Sequence, residues 1–524
     1  MSMNYKVIHD LVAEHAKVHA SKTSLVDGSL RLSFAEVAEK TELIAKSLLA
    51  HGVVRGDCVA TMAPPSADFW LQFLAVTHIG AIWVGLNAKY RSNDLAYVLG
   101  HANPKLVFVS DAIDDSSVLD AIESYAPANA TLVSSQHRRN ALVSMESFLS
   151  RANEVASVEY ASALERVTPT DTAAITYTSG TTGRPKGAML SHAAILISAA
   201  RNEEWMGDAL DAVVMGAPIN HVGGLCNLSM NVYFHGGKIV FLRQVDMEVF
   251  LTLGEDEQTT LLPLSHTVFG MLLDHPTFSM SRMKSGRLLI HGGSKTTRSY
   301  IQKFGELPAR IASIYGQTET CGVVTATRAE DSLEAHAETL GAPIAGVRAR
   351  LADPETDKPL DSDGPGELQI HCDFLFSGYF KDEEATRATF TDDGYLKTGD
   401  ICCLRDDGNY ELVDRLKLMF KSGGYNVYPA EIETVIGEHP AVRDVALLPI
   451  PDSRYDEVGC ALIALVDGEK VTAEELQAYL RPRIANYKIP KRFEFLNSLP
   501  MLPNLKVDRS ALAKRLQTEY GDQV

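Results

Sequence analysis

Apolar and polar positions along the chain alternate between helical and extended rhythms. Ser33-Phe34-Ala35-Glu36 has the form of a helix-opening capping box. Phe34, Val37, Ile44 and Leu48 then recur at helical spacing, and Gly52 is placed to end the segment. Cys58 to Met62 follows as a short strand. The most apolar stretch, Phe69 to Ala88, is broken by Gln72, Thr77, His78 and Gly80, so it fails as a membrane span. It reads instead as a buried helix ending near Gly80, with a strand through Ile82-Trp83-Val84. Ala173-Ala174-Ile175-Thr176 is a strand that runs into a Gly/Thr-rich loop. This βα rhythm predicts a layered α/β architecture. Past Asp414-Arg415 the pattern changes. A helix opens at Tyr428-Pro429-Ala430-Glu431, Val445–Ile450 and Ala461–Val466 read as strands, and Thr472 with Glu475 caps an amphipathic helix. The expected domains are therefore a large one over 1–416 and a compact α+β module over 417–524, meeting in the polar stretch around Lys417.

Composition narrows the class. A chain of 524 residues is too long for one core. With 45% hydrophobic and 22% charged residues it has the balance of an ordinary soluble globular protein. A net charge of −18 argues against a nucleic-acid surface and means that anionic substrates must be held by local cations. The seven cysteines form no CxxC pair and no metal spacing; Cys402-Cys403 read as strand residues. Met1 to Ala20 lacks the apolar core of a signal peptide, so a reducing cytoplasm is the expected location.

The candidate chemistry is concentrated in Tyr177 to Gly187, YTSGTTGRPKG. Gly180, Gly183 and Gly187 leave no Cβ in the way of a phosphate approaching backbone N–H groups. Thr178, Ser179, Thr181 and Thr182 add hydroxyls, and Lys186 adds a positive charge. The string suits a polyphosphate but is not a Walker loop, because Lys186 is followed by glycine rather than by a hydroxyl residue that could hold magnesium. Downstream come Pro218-Ile219-Asn220-His221-Val222-Gly223-Gly224, Gly292-Gly293-Ser294, Tyr315-Gly316-Gln317-Thr318-Glu319-Thr320, Thr398-Gly399-Asp400, Asp414-Arg415, Lys421-Ser422-Gly423-Gly424-Tyr425-Asn426 and Lys506.

In this order the pieces closely resemble the adenylate-forming superfamily, which includes acyl- and aryl-CoA synthetases, peptide-synthetase adenylation domains and firefly-type luciferases. The resemblance spans nearly the whole chain. It implies a large α/β N-terminal domain of several subdomains and a small mobile α+β C-terminal domain. It further implies ATP, Mg2+ and coenzyme A as reactants, a carboxylic acid as substrate, no nucleic acid and no integral membrane segment, and it leaves a homodimer open. By position it assigns the loop Thr178 to Lys186 to the β- and γ-phosphates. It assigns Thr318 to the α-phosphate, Glu319 to magnesium, Asp400 and Arg415 to ribose, and Tyr315, Gly316, Gln317, Gly293 and Ser294 to the adenosine. His221 is placed beside the acyl carboxylate, and Lys506 is the cation for the adenylation transition state. Lys417 is the hinge, and Lys421, Ser422, Gly423 and Gly424 face coenzyme A. His221, Val222, Gly223, Ser294, Gly316, Cys321 and Gly322 line the acyl pocket, which points to a hydrophobic acid, aliphatic or aromatic.

The chain departs from the family pattern at Leu505, where glycine is usual before the lysine, and at Met501-Leu502, where a polar pair is usual. Lys295 stands where proline is common. The sequence ends shortly after Lys506 with no carrier segment, which favours a free-standing CoA ligase. The alternatives are a ligase that loads a carrier-protein pantetheine, a luciferase-type oxygenase, and a nucleotide-binding regulator without turnover. Glu319, Asp400, Lys417 and Lys421 taken alone would read as surface or turn residues, and His221 alone as a core histidine.

Overall fold

The computed structural model describes residues 5–520 apart from 88–89, 91, 111, 114–115, 135–141, 179–184, 293–295, 361–363, 423–424, 453 and 502–506. The chain divides into two compact units: Met1–Ala349 with Ile370–Leu396 and Asp407–Asn409, and Arg350–Gln369 with Lys397–Asp406 and Tyr410–Val524.

The first unit is built on two large sheets. One has seven strands in the order Leu142–Ser144, Thr131–Ser134, Leu106–Val109, Cys58–Met62, Ile82–Leu86, Thr172–Thr178, Lys186–Ser191. All its pairs are parallel except the last. The other has nine strands and ends on the antiparallel pair Arg310–Gln317 and Gly322–Ala326, with Ala342–Pro343 outside it. Central strands such as Cys58–Met62 and Leu106–Val109 are buried at every position, as expected where both sheet faces are covered. This is why they read as unbroken apolar runs.

The capping boxes form as expected. Ser33 Oγ accepts from Glu36 N at 3.3 Å and Glu36 Oε2 accepts from Ser33 N at 2.8 Å, opening the helix Phe34–Ala50. Such a cap stabilises a helix end by about 1 kcal/mol. The apolar stretch divides into the helix Ala67–His78, buried at every position but Asp68, and the strand Ile82–Leu86, with Gly80 at φ +70° between them. Among the described residues no helix is long and apolar enough to cross a membrane.

The second unit holds most of a four-stranded sheet, Arg348–Ala352, Gly366–His371, Leu396–Leu404 and Tyr410–Arg415. It also holds an α+β module around the long hairpin Val442–Asp452 and Asp456–Leu465. The helices Pro429–Gly437 and Ala473–Leu480 cover one face of that hairpin, through a core of Ile432, Ile436, Leu476 and Leu480 against Leu447, Ala461 and Ile463. Cys402 and Cys403 lie in a strand, and all seven cysteines are free.

Candidate active site

The Gly/Thr-rich loop springs from the antiparallel strands Thr172–Thr178 and Lys186–Ser191, whose last register pair is Thr178 with Lys186. Thr178 Oγ1 donates to the Lys186 carbonyl at 3.4 Å. Ser179, Gly180, Thr181, Thr182 and Gly183 lie outside the described residues, so the structure places the loop's stem and not its tip. Gly187 has a steric reason to be glycine: a Cβ there would come within 2.8 Å of Ile175 Cγ2.

Glu319 follows the strand Arg310–Gln317 in a turn that Thr320 pins. Thr320 Oγ1 accepts from Gln317 N at 2.7 Å and lies 2.9 Å from the Gln317 carbonyl and 2.7 Å from that of Gly322. Gly316 faces Gly322 so closely that a Cβ would sit 1.9 Å from its carbonyl oxygen. Gln317 Nε2 donates to Tyr315 Oη at 3.2 Å, and Thr318 is buried. Cys321 adopts φ +53° and is fully buried; its neighbour Cys226 and burial together push its thiol pKa well up. It behaves as packing rather than as a nucleophile.

Sequence reasoning missed Tyr379. Its hydroxyl donates to Glu319 Oε1 at 2.6 Å, and Lys186 Nζ lies 4.9 Å from the centre of its ring. The segment that carries it runs beside the Lys186 strand. Ser377 N donates to Met189 O at 2.8 Å, Met189 N to Gly378 O at 3.0 Å and Phe380 N to Gly187 O at 2.8 Å. Phe376 N donates to the Glu319 carbonyl at 2.9 Å. Burial first, then the Glu319 charge, raise the Tyr379 pKa, so the phenol stays a donor at neutral pH. No local pattern marks it, since its partner is 60 residues away.

His221 is exposed, and its Nδ1 accepts from Gly223 N at 3.2 Å, which leaves the proton of a neutral ring on Nε2. Val222 is buried, and Gly223 begins a π-helix, Gly223–Met230. Wide turns of this kind are rare, often mark functional positions, and have no reliable sequence sign. A Cβ on Gly224 would meet Pro218 O at 2.5 Å. Gly292 ends its strand where a Cβ would lie 2.2 Å from Ile314 O; Gly293, Ser294 and Lys295 lie outside the described residues.

In the second unit Asp400 and Arg415 are directly opposed in register, with Arg415 Nε 3.2 Å from Asp400 Oδ1. The Asp400 side chain is 2% exposed and that of Arg415 51%, so the guanidinium presents a free face to solvent. Gly399, at φ +69°, donates its N–H to Glu367 Oε1 at 2.9 Å. Burial raises the pKa of that carboxyl. Asp414 accepts from Ala430 N at 2.8 Å in the first turn of Pro429–Gly437. Lys417 falls in the 3-10 turn Leu416–Leu418. Lys421 is exposed and paired with Glu355 Oε1 at 2.7 Å, and Ser422 is buried. Gly423 and Gly424 fall between the paired Ser422 and Tyr425 and lie outside the described residues, as does Lys506; Met501 and Val507, which flank Lys506, pair with each other.

Residues 12–380 match the family model for the AMP-binding enzyme, and 431–506 match that for the AMP-binding enzyme C-terminal domain. The chain belongs to the AMP-binding enzyme family. Its class is that of the CoA ligases, AMP-forming acid–thiol ligases related to it along nearly their whole length. It is 30% identical to 4-coumarate–CoA ligase-like 2 of Arabidopsis thaliana over 95% of this chain and 88% of that protein. It is 29% identical to indoleacetate–CoA ligase of Aromatoleum aromaticum over 94% and 95%. The crystal structure of ATP-bound MatB from Rhodopseudomonas palustris superposes with a TM-score of 0.84 at 27% identity, covering 97% of this chain and 99% of that one. The large α/β domain and smaller C-terminal domain expected from the motifs are those of this family.

Proposed function

We propose that this AMP-binding enzyme activates a hydrophobic carboxylic acid, aliphatic or aromatic, by two displacements, and hands it to coenzyme A. In the first, a carboxylate oxygen attacks the α-phosphorus of ATP and the bond to pyrophosphate breaks, leaving an acyl adenylate. In the second, the sulfur of coenzyme A attacks the acyl carbon, AMP departs, and the thiol proton passes to solvent. The carrying observation is the cluster Lys186–Tyr379–Glu319, in which one tyrosine holds a cation at its ring and a carboxylate at its hydroxyl, beside the strand that ends the phosphate loop.

The residues fit a divalent ion. Glu319 has one oxygen engaged by Tyr379, and its Oε2 has no partner among the described residues. Mg2+ is bound by one or two carboxylates together with phosphates and water, so a single oriented carboxylate is enough protein for it. When bound, Mg2+ neutralises charge on the polyphosphate. The loop from Thr178 to Lys186 and Thr318 orient the phosphates, and Tyr315, Gly316, Gln317, Gly293 and Ser294 hold the adenosine. Asp400 and Arg415 receive the ribose hydroxyls. His221, with Val222, Gly223, Cys321 and Gly322, borders the acid. Lys506 supplies positive charge to the first transition state. Lys421, Ser422, Gly423 and Gly424 receive the pantetheine arm, with the domain boundary and hinge at Lys417. A cytoplasmic location follows from the same reading.

Mixing the protein with ATP, Mg2+ and a panel of carboxylic acids tests this. Pyrophosphate release that depends on the acid, and acyl-CoA formation on adding coenzyme A, are expected. Pyrophosphate release without CoA consumption would point to a carrier-protein acceptor, and no release with any acid would overturn the reading.

A further inference from the structure

We infer that Tyr379 is a positioning residue for two ends of the phosphate site at once: its hydroxyl aims Glu319 at the divalent ion, and its ring seats Lys186. The inference rests on the adenylation reading above.

The geometry leaves Glu319 few other constraints. The turn that carries it is fixed through its backbone by Thr320 and Phe376, whereas its carboxylate is directed by the 2.6 Å bond from Tyr379 Oη to Oε1. That bond occupies one oxygen and leaves Oε2 available. A carboxylate engaged in this way presents a single oriented oxygen to a metal, and losing such outer partners typically weakens metal binding by about 10–100-fold.

Tyr379 is itself braced from both sides. Its N–H donates to Thr386 Oγ1 at 2.8 Å, and Asp382 Oδ1 caps the helix Glu383–Thr389 that supplies Thr386. Gly378 lies against the same residue, where a Cβ would meet Thr386 Cγ2 at 2.6 Å. On the other side the bonds of 377–380 to the Gly187–Met189 backbone fix the ring next to Lys186. An ammonium near an aromatic ring is held by the π charge without being neutralised. It therefore remains a full cation for phosphate, whereas pairing it with Glu319 would have cancelled both charges. The tyrosine acts as a spacer that keeps the cation and the metal carboxylate close but separate.

Calorimetry on the full chain separates the two roles by comparing ATP affinity in excess Mg2+ with ATP affinity in EDTA. Tyr379→Phe keeps the ring and removes the hydroxyl. It is expected to shrink the Mg2+-dependent gain in ATP affinity by about 10-fold while leaving metal-free affinity and the melting temperature as in the wild type. Tyr379→Leu is expected to lose, in addition, about 3-fold or more in metal-free affinity. Glu319→Gln should lose at least as much of the Mg2+-dependent gain as Tyr379→Phe, and the double variant should lose no more than Glu319→Gln alone. A wild-type Mg2+ gain in Tyr379→Phe, equal losses with and without Mg2+, or additive losses in the double variant would overturn the inference and leave the adenylation reading standing. A wild-type protein that binds ATP without any Mg2+ gain would overturn both.

Discussion

Glu319 in the first unit and Asp400 in the second are the two carboxylates proposed for magnesium and for ribose, and they are held in opposite ways. Asp400 lies within a strand, all but buried, and takes its partner Arg415 from the facing position of the next strand. Glu319 sits on a turn, half-buried, and takes its partner from a segment 60 residues away. The first arrangement is a local ion pair that keeps one face of its arginine in water. The second is a neutral hydroxyl bond that leaves the carboxylate its full charge. A residue that is to hold a metal must not be neutralised by its support, whereas a residue that only accepts hydrogen bonds from sugar hydroxyls can tolerate a cation beside it.

The largest expected effects test the phosphate end. Glu319→Gln and Lys506→Ala should each slow acid-dependent pyrophosphate exchange by about 10²–10³-fold, the size of losing a preorganised charge-stabilising group. They should differ in Mg2+ response: Glu319→Gln loses it, and Lys506→Ala keeps wild-type binding of Mg-ATP. Near-normal exchange in either variant would remove that residue from the proposal. At the ribose end, Asp400→Asn should raise the KM for ATP by roughly 10–100-fold, the worth of hydrogen bonds to a charged acceptor. Its Mg2+ dependence should stay unchanged, and a changed one would collapse the contrast drawn above.

The two units should also part company in acid. His15, His78 and His192 are buried in the first unit, and burial lowers their pKa values to about 4, 3 and 4. Below pH 6.5 the unfolded chain takes up protons that these folded rings refuse, so stability falls as the pH drops. At pH 5.5 the loss is about 1 kcal/mol per histidine. Glu367 and Asp414 in the second unit have pKa values raised by burial, so their contribution runs the other way and grows as the pH falls. All three tryptophans, Trp70, Trp83 and Trp205, lie in the first unit and report on it. Urea unfolding followed by their fluorescence should show a lower midpoint at pH 5.5 than at 7.5; an unmoved midpoint would contradict neutral buried histidines. The smallest effect belongs to Lys421→Ala. Its pair with Glu355 is exposed, so stability should not change, while the KM for coenzyme A should rise about 3-fold. No change in that KM would remove Lys421 from the acceptor site.

What could be read in advance follows the same division between local and distant. Capping boxes at Ser33 and Thr472, the helix–strand break at Gly80 and the strand ahead of the phosphate loop depend on neighbours within a few residues, and all formed as expected. Asp400 and Arg415 were named together only through the family resemblance; the structure adds that they are paired directly across a hairpin. Tyr379 was not legible, because only the tertiary fold lays 376–380 between the Lys186 strand and the Glu319 turn. The π-helix after Val222 was not, because residues that make wide turns are the same ones that make ordinary helix. Gly187 was legible as a loop glycine, and Gly316 was named by resemblance as an adenosine and acyl-pocket residue. The structure adds the reason both are glycine, which is the lack of room beside Ile175 and the Gly322 carbonyl.

The run of 377–380 along the Lys186–Ser191 strand has one more consequence. That strand ends the order of the seven-stranded sheet, and its outward N–H and C=O groups would otherwise offer a template to another chain. The strap occupies Gly187 and Met189 and so closes that margin against adhesion between molecules. Prying it loose would expose a sticky seam as well as disturb chemistry, so solubility and turnover should decline together in variants that weaken it.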